Sequence, residues 1–251
     1  MPLRNELESF FGALRFFTRL PVPAWVGHSN EALVRSTRYF PVVGLVIGSI
    51  AAAVFILVSI FWPKTLAVLA SMAISLSLTG AFHEDGWSDM VDGFGGGTDK
   101  SQILAIMKDS QIGSFGTLAL VVILLSKFFL LVEIDLLLIP LALVAGHAFS
   151  RLCATLVLRS LDYVREEGKS KHLTTALSDR GLAFATVTAL LPLGLLSAQQ
   201  ALWAVVFALL VTLWLARLFK QRLGGYTGDC LGATQQLSEV AFYGGLLCNF
   251  F

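Results

Sequence analysis

From Tyr39 to His83 the chain carries one charged residue, Lys64, and that run decides what kind of fold is open to it. Twenty or so consecutive apolar residues are the length of a helix that crosses a bilayer core. In hydrocarbon there is no water to satisfy backbone amides, so such a stretch is read as helix. The same texture continues for most of the chain. Charged residues make up 14% of it, against roughly 25% in an ordinary soluble domain, and the mean hydropathy is +0.76.

The apolar segments run over 39–62, 65–82, 115–132, 136–158, 182–196 and 201–216, with a weaker one at 231–251. They predict an all-α fold: a polytopic integral membrane helical bundle of about six or seven transmembrane helices. Residues 1–251 are read as a single membrane-embedded catalytic domain. Leu3, Leu7, Phe10, Phe11, Leu14 and Phe17 recur at helical spacing among Arg4, Glu6, Glu8 and Arg15, which predicts an N-terminal amphipathic helix. Lying on lipid or packing on the bundle both fit that helix. Its early charges do not read as a signal peptide. Gly44 and Gly48, four apart in the first segment, predict a close helix contact. Cys153, Cys230 and Cys248 are odd in number and sit in or beside apolar segments, so they read as core thiols rather than a disulfide framework.

Counting crossings puts the N-terminal region and the polar connections 83–114, 159–181 and 217–229 on one side. The short turns at 63–64, 133–135 and 197–200 fall on the other. Of eighteen Lys and Arg residues, only Lys64 lies in an opposite-side turn, while Lys127 and Arg151 lie within segments, so the positive-inside rule makes the loop-bearing side cytoplasmic. The net charge of +1 gives no reason to expect nucleic acid as a partner.

The least membrane-like stretch is Thr79–Gly97, with Glu84, Asp85, Asp89 and Asp92 in nine positions. On a helix Asp85, Asp89 and Asp92 fall on one face, a face that repels itself unless a cation sits on it. Oxygen-only clusters suit Mg²⁺, which takes one or two carboxylates with phosphate oxygens and water. Asp85, Asp89 and Asp92 are therefore the expected metal ligands, with Asp92 or His83 as the catalytic base; a hydrogen-bonded helix cap also fits His83. Lys108, Asp109 and Ser110, before Gly113 and Ser114, have the residue types of a phosphate cradle at a helix N-terminus. The glycine-rich loop 224–232 offers Gly225, Thr227, Gly228 and Asp229 for a ligand. Arg151 and Glu239, charged inside apolar segments, are functional candidates by position, whereas the loop from Tyr163 to Lys169 is chemically ambiguous alone.

Six ordered motifs carry a resemblance to a known family. They are Phe17-Thr-Arg-Leu-Pro-Val-Pro23, Phe40-Pro-Val-Val-Gly44, Thr79 to Gly93, Ile106 to Gly116, Tyr163-Val-Arg-Glu-Glu-Gly168 and Gly224 to Ala233. The chain resembles the cobalamin synthases, or adenosylcobinamide-GDP ribazoletransferases. The resemblance implies a multi-pass enzyme of the bacterial inner membrane, its site facing the cytoplasm. It would join adenosylcobinamide-GDP to α-ribazole or its 5′-phosphate, release GMP and require Mg²⁺.

On that reading the ribazole 5′-hydroxyl attacks the phosphorus on the cobinamide side. Lys108, Arg151 and Arg165 would contact phosphates, and the loop at Asp229 the nucleotide or ribazole. The bilayer would be a partner, with self-association or assembly with other cobalamin-assembly enzymes as a further expectation. Glu84 stands where the family pattern is apolar and reads as a bystander. The competing readings are a CDP-alcohol-type phospholipid phosphotransferase, whose Asp-Gly-x-x-Ala-Arg opening is missing at Asp85, and a cation-coupled transporter built on Arg151 and Glu239.

Overall fold

A computed structural model describes residues 2–27, 34–165 and 177–248, and among these the regular elements are helices. In chain order they are α1 (Pro2–Phe17), α2 (Phe40–Ser59), α3 (Lys64–Thr79), α4 (Phe82–Gly96), α5 (Lys100–Ile106) and α6 (Ser114–Glu133). Then follow α7 (Ile139–Ser160), α8 (Asp179–Leu190), α9 (Ala198–Leu223) and α10 (Gly228–Leu246).

Among the described residues, four helices are long and apolar enough to cross a membrane: α2 with the turn before it, α6, α7 and α9. A fifth crossing exists only if α3 and α4, bent 85° to one another, count as one. The expected fifth segment is short because helix α8 yields at Pro192 to a 3₁₀ turn over Leu191–Leu195. The expected seventh segment is α10, and it is far from uniformly apolar. Its buried residues include Thr234, Gln235, Gln236, Ser238 and Glu239.

Helix α7 is the most enclosed of the long helices, and α2 packs directly along it. The close contact expected of Gly44 and Gly48 is there. A Cβ at Gly44 would lie 2.3 Å from the His147 carbonyl oxygen, and one at Gly48 2.7 Å from that of Leu143. Gly44→Leu is accordingly expected to destabilise the protein by roughly 1–3 kcal/mol through overpacking, read as a lower unfolding temperature in detergent. On the outside, Leu118, Val122, Leu125 and Phe129 of α6 and Leu202, Leu210, Leu213 and Trp214 of α9 are exposed. Apolar faces this continuous suit lipid rather than water.

Helix α1 divides between the two expectations for it. Ala13, Leu14 and Phe17 are buried in a core cluster with Phe40, Val43 and Met90, whereas Leu7 is exposed. Its second half therefore packs on the bundle.

The α3–α4 junction sets up everything that follows. Gly80 (φ +65°) closes α3 in the left-handed region, and Ala81 follows there too at φ +56°. An alanine in that conformation costs roughly 1–2 kcal/mol, and its neighbours hold it there. The Arg19 backbone amide donates to the Leu78 carbonyl at 2.7 Å, and the Arg19 guanidinium fills the space a Cβ on Gly80 would need. Two successive left-handed residues swing α4 out of line with α3. The loops of the predicted cytoplasmic side gather around it: Arg222, in the last turn of α9, donates to the carbonyls of Phe94 and Gly97.

Candidate active site

The acidic stretch is helical, as its spacing allowed, and α4 places Asp85 and Asp89 one turn apart on one face. A third carboxylate arrives from elsewhere. Helix α10 starts at Thr227, whose Oγ1 accepts from the Cys230 amide, so Asp229 stands in its first turn. Helices α4 and α10 cross at Gly86 and Gly232. A Cβ on Gly86 would fall 3.0 Å from the Asp229 Cα, and one on Gly232 3.1 Å from the His83 carbonyl oxygen. Only that closeness brings Asp229 to the acids of α4.

Arg165 completes the basin. The segment before it pairs with the start of the glycine loop: the Tyr226 amide donates to Asp162 at 2.8 Å and the Val164 amide to Tyr226 at 3.0 Å. Gly225 sits beneath the Asp162 carbonyl, leaving no room for a side chain. So anchored, Arg165 donates to the Asp229 carboxylate at 2.7 Å and to the Met107 carbonyl at 3.2 Å. Three carboxylates thus answer to one guanidinium. Burial first, then Asp85 and Asp229, push the Asp89 carboxyl up to about 7, against the pull of Arg165. Among the described residues no three His, Cys, Asp or Glu groups close on a single point. A hard cation needs no such cage when a diphosphate supplies further oxygens, and the excess negative charge suits one.

Asp92, on the same helix, is engaged by backbone amides instead. Its two oxygens accept the amides of Gly113 (2.7 Å) and Gly116 (2.8 Å), capping α6. A carboxylate there is matched to the helix dipole, and it engages amides that the expected phosphate cradle would offer. Lys108, Asp109 and Ser110 lie exposed on the turn before α6, one residue beyond the carbonyl that Arg165 holds. Asp92→Ala would strand the two amides and is expected to cost about 0.5–2 kcal/mol of stability, measured by thermal unfolding. A base with no structural duty would show no such loss.

The remaining candidates belong to a buried polar network under the basin. Glu239 is fully buried and accepts from Lys127 Nζ (2.6 Å), the Tyr243 hydroxyl (2.9 Å) and Gln235; His147 Nδ1 lies 3.4 Å away. Arg151, 1% exposed, donates to the His147 carbonyl at 2.9 Å and places its other terminal nitrogen 3.3 Å from His83 Nε2. His83 itself is buried against Phe17, ring to ring at 5.2 Å, on the side of α4 away from Asp85. The network ties α4, α6, α7 and α10 together.

Glu84, read as a bystander to the metal, has a structural place the sequence did not show: it is 7% exposed and accepts from Gln236 of α10 at 2.8 Å, and Gln236 also donates to Gln235 at 2.8 Å. Lys127, Gln235, Gln236 and Tyr243 were not among the predicted residues. One signal for them was present: Lys127 and Glu239 are opposite charges isolated in apolar segments, and such charges must find partners.

Residues 9–247 match the sequence model of a family described as cobalamin-5-phosphate synthase. Curated relatives named adenosylcobinamide-GDP ribazoletransferase are similar over nearly their full length. One from Shewanella frigidimarina is 43% identical, with 95% of this chain and 94% of the relative covered. One from Leptothrix cholodnii is 44% identical, covering 98% and 97%, and one from Vibrio cholerae 43% identical, covering 96% and 94%. No solved structure matches.

Proposed function

Because the chain belongs to the cobalamin-5-phosphate synthase family, we propose that it joins adenosylcobinamide-GDP to α-ribazole or its 5′-phosphate, releasing GMP. It is a transferase of cobalamin synthesis, acting at the final step. The observation that carries the site assignment is the convergence of Asp85, Asp89, Asp229 and Arg165 at the crossing of α4 and α10.

Asp85 and Asp89 would hold Mg²⁺, which when bound offsets the charge of the diphosphate and of the departing GMP. Arg165 is placed to contact a phosphate oxygen beside Asp229, with Lys108 on the adjoining turn. The attacking group differs from the sequence expectation. A cobalamin 5-phosphate product implies an acceptor whose 5′-oxygen already carries phosphate, so the nucleophile is a secondary ribose hydroxyl. That oxygen bonds to the cobinamide-side phosphorus, the bond to the GMP oxygen breaks, and GMP leaves with the electron pair. The hydroxyl proton passes to a carboxylate of the basin, since His83 is buried behind α4 and Asp92 is engaged by amides.

The exposed faces of α6 and α9 would contact lipid, with α8 and α10 as further, less regular crossings of a six-to-seven-helix bundle. The basin would then open to the cytoplasm. Purified full-length protein in liposomes, given adenosylcobinamide-GDP, α-ribazole and Mg²⁺, is expected to yield cobalamin and GMP in equal amounts. EDTA should abolish the yield and added Mg²⁺ restore it. Turnover unaffected by EDTA would remove the metal from the proposal.

A further inference from the structure

Helices α4 and α10 meet along a seam that brings the two halves of the basin together. Asp229, Gly232 and Gln236 fall three and four residues apart on α10, so they share one stripe of that helix. As the stripe advances from Asp229 to Gln236, what it meets on α4 retreats from Gly86 to His83 and Glu84. The glycines permit close approach. A Cβ on Gly86 would stand 3.0 Å from the Asp229 Cα. Two bare backbones can nevertheless slide or rotate on one another, so closeness alone fixes no register.

One bond supplies the direction that the glycines lack. Gln236 Nε2 donates to Glu84 Oε1 at 2.8 Å, and among the described residues this is the only side-chain hydrogen bond between α4 and α10. Other side chains of α4 are held from elsewhere: Trp87 Nε1 donates to the Ala119 carbonyl of α6, Asp92 accepts α6 amides, and His83 faces Arg151 of α7. Glu84 and Gln236 are 7% and 2% exposed, so water barely competes for the bond. Nor can the Gln236 amide turn over. Its Nε2 lies between two acceptors, Glu84 Oε1 and Gln235 Oε1, each at 2.8 Å, and an oxygen in its place would face both without a proton to give. Gln235 in turn donates to Ser150 of α7 at 3.0 Å and to Glu239. The bond is thus anchored in the buried network and ends one residue from Asp85.

We infer that Gln236 is a positioning residue: by holding Glu84 it sets the register of α4 on α10, and with it the placing of Asp85 and Asp89 against the Asp229–Arg165 pair. The inference rests on the transferase reading above, in which the two acids take the metal and Arg165 a phosphate oxygen of the same diphosphate. A Mg²⁺ ion shared between protein and diphosphate demands near-ideal octahedral geometry, so it tolerates little error in that placing. Contacts that hold metal ligands in position typically govern about 10- to 100-fold in metal affinity. Gln236 acts at that remove, through Glu84 and the helix that carries both acids.

Metal uptake and stability, measured side by side, separate positioning from plain support. Equilibrium dialysis of the full chain in detergent with Mn²⁺ and adenosylcobinamide-GDP, and no acceptor, reads metal binding without turnover. Gln236→Met, similar in length but with no donor, should weaken Mn²⁺ uptake by about tenfold or more and lower the unfolding temperature. The double variant Glu84→Met with Gln236→Met removes both partners, so most of the unfolding temperature should return, while Mn²⁺ uptake should stay about tenfold weak. Tyr243→Phe deletes another buried hydrogen bond of α10, one that does not reach α4. It should lower the unfolding temperature and leave Mn²⁺ uptake unchanged. The inference is overturned if uptake recovers with stability in the double variant, falls as far in Tyr243→Phe, or is unchanged in Gln236→Met, and equally if a wild-type chain that turns over takes up no Mn²⁺. In each of those cases wild-type turnover leaves the transferase reading standing. A wild-type chain that converts no substrate would instead sink that reading and this inference together.

Discussion

Asp89→Asn is expected to lower turnover by a factor on the order of 10³ or more, the scale seen when one electrostatic partner of a developing charge is removed. Stability should move the other way. Asp89 stands one helical turn from Asp85, beside Asp229, and crowding of like charge with burial holds its carboxyl up near 7. Asparagine keeps the shape and discards the charge, so the folded protein is relieved of repulsion worth about 0.2–0.5 kcal/mol for an exposed pair at that spacing. An inactive variant that unfolds no earlier than wild type is the signature of a site kept for chemistry at the expense of the fold. Asp85→Asn should behave alike. An Asp89 variant with near-native rates, or one inactive because it aggregates, would take this residue out of the site.

Glu239→Ala should produce the largest stability loss of any single substitution considered. Its carboxylate is fully buried and is the counter-charge of Lys127, itself 3% exposed. Removing one member of such a pair strands the other, at a cost of about 3–5 kcal/mol, a large share of the 5–15 kcal/mol typical of a folded protein. Thermal unfolding in detergent reads the loss directly. The double variant Lys127→Met with Glu239→Gln should recover most of it, because the penalty comes from an unpaired charge rather than from the absence of the pair. If Glu239→Ala unfolds at the wild-type temperature, the ion pair is not what joins α6 to α10. Activity loss in the single variant follows from position: Gln235, Gln236 and Glu84 link Glu239 to the helix that carries Asp85 and Asp89.

Much of this was legible in residues alone. Apolar runs gave the long helices nearly to their ends, Gly44 and Gly48 gave a real helix contact, and the spacing of Asp85 and Asp89 gave their common face. Periodicity could not foresee what depends on the path of the chain. Asp92 shares a helix with the other two acids, yet its carboxylate is captured by α6, which starts more than twenty residues later. Asp229 and Arg165 meet because the 162–164 segment pairs with Tyr226 across more than sixty residues of sequence. Glu84 looked incidental because its partner, Gln236, lies 152 residues away. The 85° turn at Gly80 and Ala81 was hidden for a local reason. Glycine announces a left-handed residue, but alanine does not. Of the predicted base, phosphate and substrate residues, Arg165 and Asp229 join Asp85 and Asp89 in the basin, His83, Arg151 and Glu239 lie in the buried network, Asp92 caps α6, and Lys108, Asp109 and Ser110 stand exposed on the turn before it.

The account is tested most directly by the products formed when the wild-type chain, in liposomes with Mg²⁺, is given adenosylcobinamide-GDP and α-ribazole 5′-phosphate. Mass spectrometry should find GMP together with a corrinoid that has gained the ribazole and kept its 5′-phosphate, and Asp89→Asn should form neither. Guanylylated ribazole with free cobinamide phosphate would mean attack on the other phosphorus, and no conversion at all would contradict the transferase assignment itself.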